Sequence, residues 1–137
     1  MAKYVREIMK TTLIEVGYND SVQTAAKLMK KKKTHSVLVT KRGSPLKILT
    51  DSDVLLAIDG DGSDLSAIPV HKYASTVEFF ADPNWTVETA ARAMVEHGIK
   101  HLPVKGLFNR IVGMISSTDV IKYFNKSGNY GKEMFFC

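Results

Sequence analysis

The sequence predicts a mixed α/β fold (α+β): two tandem, pseudo-two-fold β-α-β-β-α repeats packed sheet to sheet. Three observations carry this expectation. The chain repeats itself once, both copies show the same order of strand and helix patterns, and one copy of about 55 residues is too small to bury a good core alone. Ser21-Val-Gln-Thr-Ala-Ala-Lys-Leu-Met29 returns as Thr86-Val-Glu-Thr-Ala-Ala-Arg-Ala-Met94, an offset of 65 residues. The same offset pairs Val5 with Val70, Thr11 with Thr76, Asn19 with Asn84 and Val39 with Val104. After one inserted residue the offset is 66, and Asp53-Val54 matches Asp119-Val120. The repeats therefore run over 3–61 and 68–126, with a linker at 62–67 and a tail at 127–137. Asp59-Gly-Asp-Gly-Ser-Asp64, at the end of the first copy, reads as exposed linker.

In chain order, Leu13-Ile-Glu-Val16 and Val77-Glu-Phe-Phe-Ala81 are short β-like runs. A helix follows in each copy. Val22, Ala25, Ala26 and Met29 in the first, and Val87, Ala90, Ala91 and Met94 in the second, make one apolar stripe at helical spacing. Ser21 and Thr86 stand where N-caps belong, and Gly98 supplies a C-terminal stop. The first copy ends its helix on Lys30–Lys33 instead, cations suited to the negative end of the helix dipole. Two strands then flank a turn: Val37–Val39 and Lys47–Leu49 around Arg42-Gly-Ser-Pro45, and Leu102–Val104 and Ile111–Ile115 around Gly106-Leu-Phe-Asn109. A last helix starts after Thr50-Asp51 and after Ser116-Ser117. Its apolar face is expected to be Val54, Leu55 and Ile58 in one copy, and Val120, Ile121 and Phe124 in the other.

Composition narrows the function classes. Apolar residues at 45% and charged residues at 24% of 137 positions are ordinary globular values and argue against disorder. No apolar run reaches the ~20 residues a membrane helix needs, and the start has no signal-type segment, so a cytoplasmic location is expected. The single cysteine, Cys137, excludes an internal disulfide and a Cys-rich zinc site. A net charge of +5 favours anionic partners, but weakly.

The chemistry concentrates at one kind of corner. Gly113-Met-Ile-Ser-Ser-Thr-Asp119 and Lys47-Ile-Leu-Thr-Asp-Ser-Asp53 each read as a strand, then hydroxyls, then an acid opening a helix. Free backbone N–H groups and the helix dipole favour an anion there; a hydroxyl can donate to phosphate and the aspartate can accept from a vicinal diol. Ser, Thr and Asp are also ordinary N-cap residues, and on the local pattern alone the cap reading is the stronger.

These features in this order resemble a pair of cystathionine-β-synthase (CBS) domains, a Bateman module. The resemblance rests on Val5-Arg-Glu-Ile-Met9, the two Val-x-x-Ala-Ala/Ala-x-x-Met helices, Lys100-His-Leu-Pro-Val104 and Gly113–Asp119, and it covers 3–126. It implies a regulatory module that binds an adenosine-containing nucleotide (AMP, ADP, ATP or S-adenosylmethionine) in clefts between the repeats. Carried over by residue, the stronger cleft uses Ser116, Thr118 and Asp119 with Thr11, Thr12, Ile14, Thr34, His35 and Ser36. The weaker uses Thr50, Asp53 and Thr76 with Phe79, Ile99, Lys100 and His101.

Gly113 is expected to let a ligand approach the backbone, whereas Lys47 and a pocket-filling Phe79 weaken the other cleft. His35, Lys100 and His101 suit phosphates; Lys100 fits equally well as a solvated cation and His101 as a histidine half buried beside Pro103. The Lys30–Lys33 run reads as a solvated face.

No catalytic motif, P-loop or metal-ligand spacing stands in the chain, so neither an enzyme nor a metal protein is expected. No cofactor is expected beyond the nucleotide as regulatory ligand. The expected partners are that nucleotide, a second copy in a homodimer and an effector protein, with no membrane. The alternatives are a ligand-free dimerisation module and, ranked last for want of a reading motif, nucleic-acid binding.

Overall fold

In the computed structural model, residues 3–42, 44–62 and 64–126 are described. The tail with Phe135, Phe136 and Cys137 lies outside them, as does Gly43 of the first hairpin turn. The elements are α1 (Val5–Ile8), β1 (Glu15–Gly17), α2 (Val22–Lys32), β2 (Ser36–Lys41), β3 (Ser44–Thr50), α3 (Asp51–Asp61), β4 (Ser75–Thr76), α4 (Val87–His97), β5 (His101–Lys105), β6 (Ile111–Ser116) and α5 (Ser117–Lys126). Both stripe helices begin as their sequences predict: Ser21 Oγ accepts from Thr24 N–H (3.1 Å) and Thr86 Oγ1 from Thr89 N–H (3.2 Å). Both end on a left-handed residue, Gly98 at φ 64° in α4 and Lys33 at φ 53° in α2.

The chain divides into two compact units, one of residues 13–78 and one combining 1–12 with 79–137. Units and sequence repeats are therefore offset. Each unit takes its leading segment from the other repeat. In the 13–78 unit the sheet order is β1-β2-β3-β4, with β1 parallel to β2 and the other pairs antiparallel. The other unit keeps the same plan around β5-β6, but single bridges replace the outer strands: Ala81 to Val104 (parallel) and Lys10 to Met114 (antiparallel). Val77–Ala81 is thus not the strand its β-like residues suggest. One bridge at Ala81 is all that pairs, and the preceding strand is β4.

One core gathers Val16, Val22, Ala25, Met29, Val37, Val39, Leu49 and Val70; the other gathers Ala81, Val87, Ala90, Met94, Leu102, Val104, Ile115 and Val5. These are the same positions under the repeat offsets, so one packing solution is used twice.

Two expectations fail in α3. Asp59–Asp61, read as linker, form its last turn. Asp61 there is held by Lys72 (2.8 Å) and by the Tyr73 hydroxyl, which donates at 2.6 Å. Leu55 and Ile58, read as part of its apolar face, are 68% and 41% exposed; the face turned inward carries Asp53 and Ala57. In α5, Val120 is buried and Phe124 packs against its core, but Ile121 is exposed. Period alone marks an apolar stripe without saying whether the unit's own core or another surface covers it.

Candidate functional site

The two strand-to-helix corners are built alike. In each, the chain leaves an antiparallel strand pair and enters a helix whose first free N–H groups need acceptors. At the 79–137 unit's corner, Ser116 N–H donates to Asp119 Oδ2 (2.9 Å) and Asp119 N–H donates to Ser116 Oγ (3.2 Å), a reciprocal cap. The Ser117 N–H is taken by the Lys100 carbonyl (2.8 Å). At the 13–78 unit's corner, both Thr50 N–H (2.8 Å) and Thr50 Oγ1 (3.1 Å) donate to Asp53 Oδ2, and Asp51 N–H donates to the His35 carbonyl (3.0 Å). The cap reading is therefore realised at both.

What the caps leave over differs. Ser116 Oγ accepts from Asp119 N–H, and among the described residues its hydroxyl donates to no acceptor. The Thr50 hydroxyl proton is spent on Asp53. The Asp119 side chain is only 9% exposed, yet Oδ1 has no described hydrogen bond; Lys10 Nζ lies 3.9 Å from it, beyond hydrogen-bond distance. A carboxylate has about four lone-pair sites, so closing the cap does not exhaust Asp119.

Gly113 plays another part than the expected one. A Cβ there would lie 2.6 Å from Met9 Sδ and 2.9 Å from the Lys10 carbonyl oxygen. What comes close to its backbone is the chain's own leading segment, because Lys10 exchanges two 2.9 Å hydrogen bonds with Met114. In the other unit Lys47 takes the place of Gly113, opposite Thr76 of β4, and its ammonium donates to the His71 carbonyl (3.4 Å).

Of the residues expected in the stronger cleft, Thr11, Thr12, Ser116, Thr118 and Asp119 belong to the unit containing 79–137, and Ile14, Thr34, His35 and Ser36 to the 13–78 unit. Thr11, Thr12 and Thr118 are exposed and Ile14 is half buried, with its carbonyl accepting from Leu38 N–H. Ser36 is buried at 5% exposure. Thr34 and His35 line a groove of about 550 Å³ between α2 and α3 with Met29, Lys30, Lys33 and Val54. His35 Nδ1 stands 3.3 Å from Asp51.

Of the weaker set, Thr50, Asp53 and Thr76 belong to the 13–78 unit, and Phe79, Ile99, Lys100 and His101 to the other. Phe79 is 38% exposed and stacks on His97 of its own unit, ring centroids 3.7 Å apart. Ile99 is half buried, Lys100 is exposed, and His101 is half buried in register with Ser116.

Lys10 is the residue that motif reading missed. It stands outside the corner motif by more than 100 positions, and only its bridge to Met114 brings it there. Comparing the repeats could have flagged it, because its counterpart is Ser75.

Comparison with known proteins agrees with this architecture. The CBS domain family model matches residues 5–60 and 66–126. The chain is 32% identical over 116 residues to CBS domain-containing protein YhcV of Bacillus subtilis (strain 168), covering 85% of this chain and 81% of that protein. A putative signal-transduction protein with CBS domains from Burkholderia ambifaria MC40-6 superposes with a TM-score of 0.85 at 24% identity, over 93% of this chain and 98% of that one. The CBS domain pair of protein MJ0100, solved with 5-methylthioadenosine and S-adenosyl-L-methionine, superposes at 0.82 with 21% identity, over 93% and 99% of the two chains. Repeat, topology and family match coincide: this chain belongs to the CBS domain family, with two CBS repeats.

Proposed function

We propose that this chain is a regulatory module, not an enzyme, that binds an adenosine-containing nucleotide through the Ser116–Asp119 corner. Asp119 takes the ribose hydroxyls and the Ser116 hydroxyl donates to a phosphate. The observation that carries the reading is the open valence at a nearly buried carboxylate: Oδ2 closes the cap while Oδ1 has no hydrogen bond among the described residues. MJ0100's domain pair, which shares the fold, holds two adenosine compounds, in line with this ligand class. Thr11 and Thr12, in the same unit, would add hydroxyl contacts to the ligand. The Thr50–Asp53 corner is the weaker one, since its hydroxyl is already consumed. The module works in the cytoplasm on an effector protein. Among the described residues no helix is long and apolar enough to cross a membrane.

Thermal shift with AMP, ADP, ATP and S-adenosylmethionine tests this. A ligand at a hundred times its Kd should add about 2.7 kcal/mol to wild type. The shift should vanish in Asp119→Ala and in Asp119→Asn, which keeps a cap acceptor but not the charge. No shift with any of the four refutes the reading.

A second reading, self-association, is favoured by the outer helix faces. Leu55 and Leu56 of α3, Val95 of α4 and Ile121 of α5 are all more than half exposed. A homodimer formed on these faces is expected to dissociate in Leu55→Asp/Ile121→Asp, measured by sedimentation velocity. Persistence of the dimer would move the interface elsewhere.

A further inference from the structure

We infer that Lys10 makes the Ser116–Asp119 corner selective for a phosphorylated ligand, an adenosine phosphate over unphosphorylated adenosine, and that the Thr50–Asp53 corner does not share this preference. The inference rests on the reading of Asp119 as the ribose acceptor. Three observations carry it. First, the Lys10 backbone is fixed beside the corner by its two 2.9 Å hydrogen bonds with Met114, an approach that Gly113 permits by having no side chain. Second, its ammonium stands 3.9 Å from Asp119 Oδ1 and the side chain is 55% exposed, so the cation is near the carboxylate without being locked to it. Such a pair is weak, and the ammonium can pass to an incoming dianion at little cost while Oδ1 turns to the sugar.

Third, the two corners differ in charge. The first turn of α5 holds one acid, Asp119, and Lys10 offsets it. The first turn of α3 holds two acids, Asp51 and Asp53. Ser75 replaces Lys10 there, and the one lysine added, Lys47, is turned to a backbone carbonyl. His35 stands beside Asp51, and Lys30 and Lys33 line the same groove as Asp51, but among the described residues no lysine forms an ion pair with either acid. A phosphate therefore meets one acid with a lysine ammonium beside it at the Ser116–Asp119 corner, and two acids without a paired lysine at the other.

Isothermal titration of the full chain with adenosine and with AMP tests this in wild type, Lys10→Gln, Lys10→Arg and Lys122→Gln, the last removing an exposed charge elsewhere on α5. Lys10→Gln is expected to lower the AMP-to-adenosine affinity ratio by about fivefold or more, the loss of one charge-assisted contact. Lys10→Arg and Lys122→Gln should retain the ratio. A smaller change in Lys10→Gln, or an equal change in Lys122→Gln, overturns the inference. If wild type binds both ligands and Asp119→Asn abolishes both while Lys10→Gln leaves the ratio alone, the ribose reading stands and only the role of Lys10 falls. If wild type binds neither, both fall together.

Discussion

The Thr50–Asp53 and Ser116–Asp119 corners occupy the same place in two copies of one plan, and each ends a strand in a helix capped by the aspartate three residues on. They differ in what surrounds the cap. One leading segment brings Met9 and Lys10 against Gly113; the other, with Ala74 and Ser75 at the matching positions, pairs Ser75 with Ile48 and Thr76 with Lys47. Bulk and charge have changed sides between segment and strand while the topology has stayed the same. Duplicated units can thus keep a fold and diverge at a site through pairs of substitutions that preserve packing.

The largest effect should come from forcing the two copies to match. Gly113→Ala places a Cβ against Met9 Sδ and the Lys10 carbonyl. It should cost about 1–3 kcal/mol in urea unfolding. Met9→Ala in the same chain should restore part of that loss, because it clears the sulfur but not the backbone oxygen. No loss in Gly113→Ala would mean that the leading segment sits farther from β6 than it does here.

Removing the caps is next. Asp53→Ala strips Thr50 N–H and Oγ1 of their common acceptor, and Asp119→Ala strips Ser116 N–H. Each should cost about 1–2 kcal/mol, with Asp53 the larger because it satisfies two donors and is itself buried. The reverse order would show that Asp119 contributes more to the fold than its contacts indicate.

A smaller contrast lies at the helix ends. Lys33 adopts the left-handed conformation that Gly98 adopts without side-chain strain. Lys33→Gly should stabilise by about 1 kcal/mol and Gly98→Lys destabilise by a similar amount, both read from the denaturation midpoint.

The smallest effect is electrostatic and belongs to one unit. The Lys72 ammonium, and after it the Tyr73 hydroxyl, hold the Asp61 carboxyl below its ordinary range, while hydrogen bonding to Asp61 raises both Lys72 and Tyr73. A lowered carboxyl stabilises the fold above the ordinary carboxylate range, and that contribution fades as pH falls through the lowered value. The raised lysine contributes below its ordinary value and is lost as pH rises through the raised one. Asp61→Asn should flatten both limbs of the stability–pH curve. An unchanged acid limb would show that the cluster does not persist in water.

Much of this was legible in the chain. The helices were visible because an apolar stripe must recur every 3.6 residues to face one core, and their caps because Ser21, Thr86 and Gly98 satisfy local geometry. The aspartate corners were visible for the same local reason. Lys10 was not, since a residue brought in by a bridge between distant segments leaves no periodic trace. Gly113 was singled out for the wrong neighbour: a sequence shows that space is kept at a glycine but not what enters it.

By itself the sequence determined the duplication, the two stripe helices with their caps, the hairpin after each and the family, because these follow from periodicity and from positions shared by the two copies. Tertiary structure alone decided that each unit borrows its leading segment from the other repeat, that Leu55, Ile58 and Ile121 face outward, and that Lys10 stands against Asp119. The physical reason is range. Caps and amphipathic stripes are settled within a few residues of chain, whereas the partner across a sheet edge is chosen by which distant backbone can complete its hydrogen bonds without a clash.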